Sequence, residues 1–252
     1  MATKKNSNGN YTMSRGKTRN RPPISSDLMT KIEPLTENQE KIFKAWDEGK
    51  HLFIYGAAGT GKTFCALYKA LQACLSTTPS YDSVHIVRSL VATREIGFLP
   101  GDHEDKSALY QIPYKNMVKY MFEMSSDDSF EMLYGNLKAQ ETVKFWSTSF
   151  LRGVTLDNTV IIVDEMQNLN FHELDSIVTR VGENTRIVFC GDAMQSDLNR
   201  TNERNGIHDF MRILQLMPDE FEMIEMGVND ICRSGLVRNY LIAKNSLGFP
   251  NL

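Results

Sequence analysis

One segment of the chain has the spacing of a phosphate-binding loop, because residues 56–63 fit the pattern G-x-x-x-x-G-K-[ST] in full. Glycines let backbone N–H groups converge on an anion, and the N-terminus of a following helix adds a favourable dipole. Lys62 is expected to contact the β- and γ-phosphates of ATP, and the Thr63 hydroxyl to ligate Mg²⁺. The segment predicts an ATP and Mg²⁺ site built from Gly56, Ala57, Ala58, Gly59, Thr60, Gly61, Lys62 and Thr63.

Two acidic residues end an apolar run later in the chain. All four residues of the run 160–163 are β-branched, as expected of a central parallel strand, and Asp164 and Glu165 follow it. We expect Asp164 to hold Mg²⁺ and Glu165 to take a proton from the water that attacks ATP. Acids after a strand are commonly just a solvated turn, but the preceding phosphate-binding pattern favours catalysis.

Two glutamines are candidates for contacts with the nucleotide. Gln195 ends a Gly-Asp-x-x-Gln element after the next predicted strand, where its amide could bond the γ-phosphate or the attacking water. Gln39 precedes the phosphate-binding loop, and its amide can both donate to and accept from an adenine edge, which would select ATP over GTP. The alternatives are ordinary turn chemistry for Gly-Asp and, for Gln39, a capping box with Thr36.

A phosphoryl-transfer site also needs a cation for the charge that develops on the γ-phosphate. Most arginines are simply surface residues, so position must decide among five candidates: Arg88, Arg94, Arg152, Arg233 and Arg238. We choose Arg233, because it lies between the last predicted strand and the last predicted helix, at an edge that could face a neighbouring subunit. The alternative is a cation supplied by the same chain, from Arg88 or Arg94.

Predicted strands and helices alternate along the chain and position these residues. Short apolar runs predict strands at 51–55, 84–87, 160–163, 186–190 and 221–226, and helical periodicity separates most of them. Such alternation is typical of a parallel sheet covered on both faces. We therefore predict an α/β protein with a single RecA-like P-loop NTPase core, a mostly parallel sheet and helices on both of its faces.

Composition excludes several classes of protein. The 252 residues are 41% hydrophobic and 23% charged, which fits one globular domain of α/β size. We expect no membrane segment and no secretory signal, because no apolar run is long enough. The cysteines are scattered without metal-type spacing, which fits a reducing cytoplasm; they are Cys65, Cys74, Cys190 and Cys232.

The N-terminal segment differs from the rest of the chain in charge. Residues 1–21 contain no acid and six basic residues, although the whole chain has a net charge of −3. Such an apolar-poor segment cannot bury enough surface to fold alone, so we predict a disordered basic tail at 1–27 and an ATPase domain at 28–252. The tail could hold phosphate backbones of nucleic acid. The alternative is an inert solubilising or cloning-derived tail.

The motifs together resemble the first RecA-like lobe of superfamily-one helicases. Four further strings resemble the PhoH family of phosphate-starvation ATPases: Arg-Ser-Leu-Val at 88–91, Gly-Phe-Leu-Pro-Gly-Asp at 97–102, Leu-Arg-Gly-Val-Thr-Leu at 151–156 and Asp-Glu-Met-Gln-Asn at 164–168. The match runs in order from Thr36 to Asn245, and the short length is similar to compact members from phage genomes. One departure is that the usual Thr-Arg-Pro reads Val87-Arg88-Ser89, which keeps the arginine but lacks the stiffening proline.

The resemblance implies ATPase activity, association with single-stranded RNA or DNA, ring-shaped oligomers and a cytoplasmic location, in the host if a phage encodes the chain. The stretch after Gln195 is too short for a second lobe, so we expect a ring, most simply a hexamer, with Arg233 completing a neighbour's ATP site. Two other function classes stay open. One is a nucleotide-gated binding protein, against which the intact Glu165 argues. The other is a small-molecule kinase with a lid at 96–140, whose only cations are Lys106, Lys115, Lys119 and Lys138.

Overall fold

The computed structural model of the protein describes residues 3–5, 11–13, 24–89, 103–148, 154–192 and 201–247. Two short antiparallel strands, β1 (Thr3–Lys5) and β2 (Tyr11–Met13), pair near the N-terminus. The main sheet contains β3 (His51–Gly56), β4 (Ser83–Arg88), β5 (Val143–Ser147), β6 (Thr159–Asp164), β7 (Arg186–Gly191) and β8 (Phe221–Met226). Its strands are all parallel, in the order β5-β4-β6-β7-β3-β8.

Helices cover both faces of the main sheet. They are α1 (Glu37–Asp47), α2 (Lys62–Leu75), α3 (His103–Phe122), α4 (Asp127–Ala139), α5 (Phe171–Val178) and α6 (Thr201–Leu214). A further helix, α7 (Gly235–Ser246), follows β8 and contributes no side chain to either core. Side chains alternate between two cores along each strand, so that Leu52 and Ile54 pack with α1 to α4 while Phe53 packs with α5 and α6. The fold-class prediction is confirmed: this is a RecA-like α/β core.

The apolar pattern of the sequence does not predict the edge strand β5, and the reason is physical. Only Val143 and Ser147, its two ends, are buried, and the three residues between them are half-buried. A strand at the edge of a sheet does not need the continuous apolar run that identifies a central parallel strand such as β6. Periodicity therefore found the central strands and missed this one.

The ordered part of the domain begins before the predicted boundary at residue 28. Ile24 packs against the core, Ser26–Leu28 form a 3-10 helix, and the Thr30 N–H donates to the Met121 carbonyl at 2.8 Å. Residues 24–27 thus belong to the folded unit in the structure. The disorder of the remaining tail stays a prediction, and its described parts are β1 and β2.

Candidate nucleotide-binding site

The phosphate-binding loop connects the end of β3 to the start of α2 and needs glycine at defined points. Gly56 and Gly61 have φ values of +116° and +82°, which L side chains rarely adopt. A Cβ on Gly56 would also lie 2.2 Å from the Met226 carbonyl oxygen of β8. That carbonyl accepts a hydrogen bond from the Ala57 N–H at 2.8 Å, so the neighbouring strand fixes the start of the loop.

Lys62 and Thr63 are the first two residues of α2, at its electropositive end. The Lys62 Nζ donates to the carbonyl oxygens of Gly56 at 2.8 Å and Ala57 at 2.7 Å, so its ammonium group lies inside the loop. Burial lowers the pKa of Lys62, and the acids around it, including Glu165, act in the opposite direction. An anion held by the loop would meet this ammonium group and the backbone N–H groups together.

Asp164 ends β6 and lies against Thr63, as the sequence predicted. The Thr63 hydroxyl donates to Asp164 Oδ1 at 2.6 Å, although the two residues are 101 positions apart. A hydroxyl and a carboxylate side by side are hard oxygen donors of the kind that Mg²⁺ prefers, so these two residues fit the ion. Within the described chain, Thr63 and Asp164 are the residues that would hold it.

Glu165 occupies a strained backbone position directly after Asp164. Its φ of +52° places a non-glycine residue in the left-handed region, where strain of about 1–3 kcal/mol is typical of functional sites. Burial raises the pKa of its carboxyl, and the charge of Asp164 adds to that effect. Gln167 donates to Glu165 Oε2 through its amide nitrogen, and its amide oxygen accepts the Asp192 N–H at 3.0 Å. The carboxyl of Glu165 is thereby tied to the end of β7.

Arg88 and Tyr114 lie beside Asp164 at the end of β6. Arg88 ends β4 and lies in register with Asp164 of the adjacent strand β6. The Tyr114 hydroxyl, from α3, donates to Asp164 Oδ2 at 2.6 Å. The sequence offers Arg88 as a candidate cation but does not indicate Tyr114, because a tyrosine at an inward-facing helical position is expected in the core. It likewise indicates no role for Gln167, although this residue lies in the string 164–168.

Gln39 lies beneath the phosphate-binding loop. Its side-chain nitrogen donates to the Thr60 carbonyl at 3.0 Å and to Cys232 Sγ at 3.2 Å, and its oxygen accepts the Leu35 N–H at 2.8 Å. Thr36 caps α1 by accepting the Gln39 N–H, so only half of the predicted capping box is present. The structure gives Gln39 a bracing contact with the loop, and its contact with adenine stays a prediction.

Arg233 lies beside the phosphate-binding loop of its own chain. The Cys232 N–H donates to the Gly59 carbonyl at 3.0 Å. A Cβ built on Gly59 would lie 3.0 Å from Arg233 Cγ and 3.6 Å from its Nε, so the arginine stem runs over the loop while the residue remains exposed. Three other predicted candidates, Gln195, Arg94 and Arg152, lie outside the described residues.

A parallel sheet that carries this loop after β3 and an Asp-Glu pair at the end of β6, with β7 between the two strands, defines a P-loop NTPase core. The family model of PhoH-like proteins matches residues 31–244, and the chain belongs to that family. It is 30% identical over 207 residues to the PhoH-like protein of Mycobacterium leprae, covering 82% of this chain and 56% of the relative. Protein PhoH of Escherichia coli K12 is 31% identical over 209 residues, with the same two coverages.

The chain spans about half the length of these curated relatives. Among solved structures, the Pif1 helicase from Candida albicans is similar with a TM-score of 0.41 and 16% identity, covering 87% of this chain and 46% of that one. Among the helices that the structure describes, none has the length and apolar character required to cross a membrane.

Proposed function

We propose that this protein is a Mg²⁺-dependent ATPase whose hydrolysis is coupled to binding or remodelling of single-stranded RNA or DNA. The observation that carries the proposal is the 2.6 Å contact between Thr63 Oγ1 and Asp164 Oδ1. The contact joins the start of α2 to the end of β6. The loop, the two oxygen atoms that could ligate Mg²⁺ and Glu165 therefore meet at one end of the sheet. A family of P-loop NTPases gives this arrangement its expected substrate, ATP.

The side chains divide the reaction between them. Lys62 and the loop N–H groups hold the β- and γ-phosphates, and Thr63 and Asp164 hold Mg²⁺, which neutralises charge on the phosphate oxygens when bound. Glu165 accepts the proton of the attacking water, and its bond to Gln167 fixes the direction in which its carboxyl points. Gln195 is assigned to the γ-phosphate and Gln39 to the adenine edge, as the family resemblance implies.

Two of the four lysines of the candidate lid, Lys115 and Lys119, do not favour a small-molecule kinase. Lys115 bonds Glu131 at 2.6 Å and Lys119 bonds Asp127 at 2.6 Å, and both acids belong to α4. These lysines join the two helices to each other, whereas a kinase lid would present them to a phosphorylated substrate. Water is therefore the proposed acceptor of the phosphoryl group.

ATP turnover tests the proposed function directly. Inorganic phosphate should be released in the presence of Mg²⁺ and not with EDTA, and single-stranded RNA or DNA should raise the rate. The double-stranded forms of the same sequences serve as controls. Release of ADP without inorganic phosphate would identify phosphotransfer to another acceptor, and binding of ATP without turnover would identify a nucleotide-gated binding protein.

The basic tail is proposed to add nucleic-acid affinity. Deleting residues 1–21 should leave basal ATPase unchanged, weaken binding to single strands and flatten the salt dependence of binding, because fewer counterions are released. Fluorescence anisotropy at several salt concentrations measures both effects. A full-length variant with all six basic residues of the tail changed to glutamine separates charge from length. Equal affinity and equal salt slope in all three proteins would show an inert tail.

The proposal includes a ring-shaped oligomer and a cytoplasmic location. We expect a ring, most simply a hexamer, because α7 beside the ATP site presents apolar side chains that a neighbouring copy could cover, including Leu236 at 84% exposure and Tyr240 at 63%. Light scattering measures the assembly. The four cysteines, all among the described residues, form no disulfide, which fits the reducing cytoplasm, the host's if a phage encodes the chain.

A further inference from the structure

The side chain of Tyr114 is buried beside the carboxylate of Asp164 and bonds one of its oxygens. It is 1% exposed and lies on α3, where its ring packs against Phe145 of β5 with centroids 5.5 Å apart. Its hydroxyl donates to Asp164 Oδ2 at 2.6 Å, while Thr63 donates to Oδ1 at the same distance. Both carboxylate oxygens of Asp164 therefore have a neutral hydroxyl donor, and the rotamer of the side chain is fixed from two sides.

A positive charge stands beside the same phenol. Arg88 occupies the strand position beside Asp164, and its charge acts on both the Tyr114 hydroxyl and the Asp164 carboxylate. Arg88 also lies over the ring of Tyr110, with Cζ 5.8 Å from the centroid. The phenol therefore donates to the carboxylate at a point where a guanidinium stands close to both groups.

This placement matters because arginine and a carboxylate pair strongly when they meet directly. A guanidinium presents two parallel N–H groups that match both carboxylate oxygens, and such a bidentate pair would occupy the lone pairs that a metal needs. A neutral hydroxyl takes only one lone pair of Oδ2. It stabilises the carboxylate without forming the competing ion pair.

We infer that Tyr114 is a positioning residue that sets the Mg²⁺ affinity of the site, by holding Asp164 in its metal-ligating rotamer and by keeping Arg88 from pairing with it. The inference rests on the proposed function, since it concerns the metal of the same ATPase site. Partners that orient a metal ligand typically change metal affinity about 10- to 100-fold when they are removed.

The test is Tyr114→Phe, which deletes the hydroxyl and keeps the ring. Mn²⁺ serves as the probe, and its affinity is measured by electron paramagnetic resonance in the presence of a non-hydrolysable ATP analogue. We expect Mn²⁺ to bind about 10- to 100-fold more weakly to the variant. Affinity for the analogue in EDTA should be unchanged, because the phosphate-binding loop is untouched.

A matched control removes a hydroxyl from the neighbouring helix. Tyr134 of α4 is also buried, stacks on Phe130 with centroids 5.8 Å apart, and its hydroxyl has no hydrogen-bond partner among the described residues. Tyr134→Phe should therefore leave Mn²⁺ affinity at the wild-type value. The melting temperature of each variant separates loss of metal affinity from loss of fold.

A double variant tests the second half of the inference. If Tyr114 keeps Arg88 away from Asp164, then Tyr114→Phe/Arg88→Gln should recover part of the Mn²⁺ affinity lost in Tyr114→Phe, because the competing guanidinium is gone. Wild-type Mn²⁺ affinity in Tyr114→Phe would overturn the inference and leave the proposed function standing. A wild-type protein that binds the analogue no better with Mn²⁺ than in EDTA would overturn both.

Discussion

Changing Glu165 to glutamine should stop ATP turnover while leaving ATP binding nearly intact. Glutamine keeps the size of the side chain and can still accept from Gln167, but its amide cannot take a proton from water. General-base catalysis contributes about 10²–10⁴ in rate, and a loss of that size is expected in kcat with little change in nucleotide affinity. Single-turnover phosphate release and binding of a fluorescent ATP analogue measure the two quantities separately.

Two comparison variants separate loss of the catalytic base from loss of ATP binding and from a general effect of the substitution. Lys62→Ala removes the ammonium group from the phosphate-binding loop and should weaken binding as well as turnover. Glu222→Gln makes the same chemical change as Glu165→Gln on an exposed side chain of β8 and should behave as wild type. Hydrolysis at the wild-type rate by Glu165→Gln would show that another group is the base.

The parts of the site that sequence predicted are those encoded in short stretches. The phosphate-binding loop is one continuous segment, and its glycines are required by φ values and by the approach of Met226. Asp164 ends the buried strand β6 and Glu165 follows it. The carboxyl ends of parallel strands lie at the same edge of a sheet, so this pattern alone brings the two acids to the loop. The 2.6 Å contact of Thr63 with Asp164 follows from those two elements together.

The parts that sequence did not predict depend on contacts between distant segments. Tyr114 reaches Asp164 only because α3 packs over the end of β6, and no spacing rule connects a helical tyrosine with an acid 50 positions later. Gln167 joins Glu165 to Asp192 across two strands for the same reason. Helical periodicity shows that a residue faces inward, but it does not show which polar atom that residue meets.

The structure also changes the hypothesis for Arg233. Its position after the last predicted strand, β8, predicts that it completes a neighbour's ATP site. In the structure the adjacent Cys232 N–H bonds the Gly59 carbonyl at 3.0 Å, and the Arg233 stem passes over Gly59 of the same chain. Hydrogen bonds of Asp230 hold the segment before Arg233 in this position. Its carboxylate accepts from the Asn38 side chain of α1 and from the Gly227 N–H, both at 2.8 Å. An arginine whose stem runs over its own loop is within reach of the nucleotide bound by that loop.

We therefore expect Arg233→Ala to lower turnover strongly and to do so in cis. An arginine that stabilises the transferring phosphoryl group is worth about 10³–10⁵ in rate, whereas Arg212→Ala, on exposed α6, should be neutral. Mixing Arg233→Ala with Lys62→Ala decides which chain the arginine serves. If it acts in cis, every site in a mixed assembly lacks one group and the mixture stays inactive. Recovered activity would instead mean that some interfaces pair an intact loop with an intact arginine, so Arg233 would complete the site of a neighbouring subunit in a ring. Energy transfer between differently labelled subunits confirms that subunits have exchanged, and an active monomer in light scattering would contradict the ring itself.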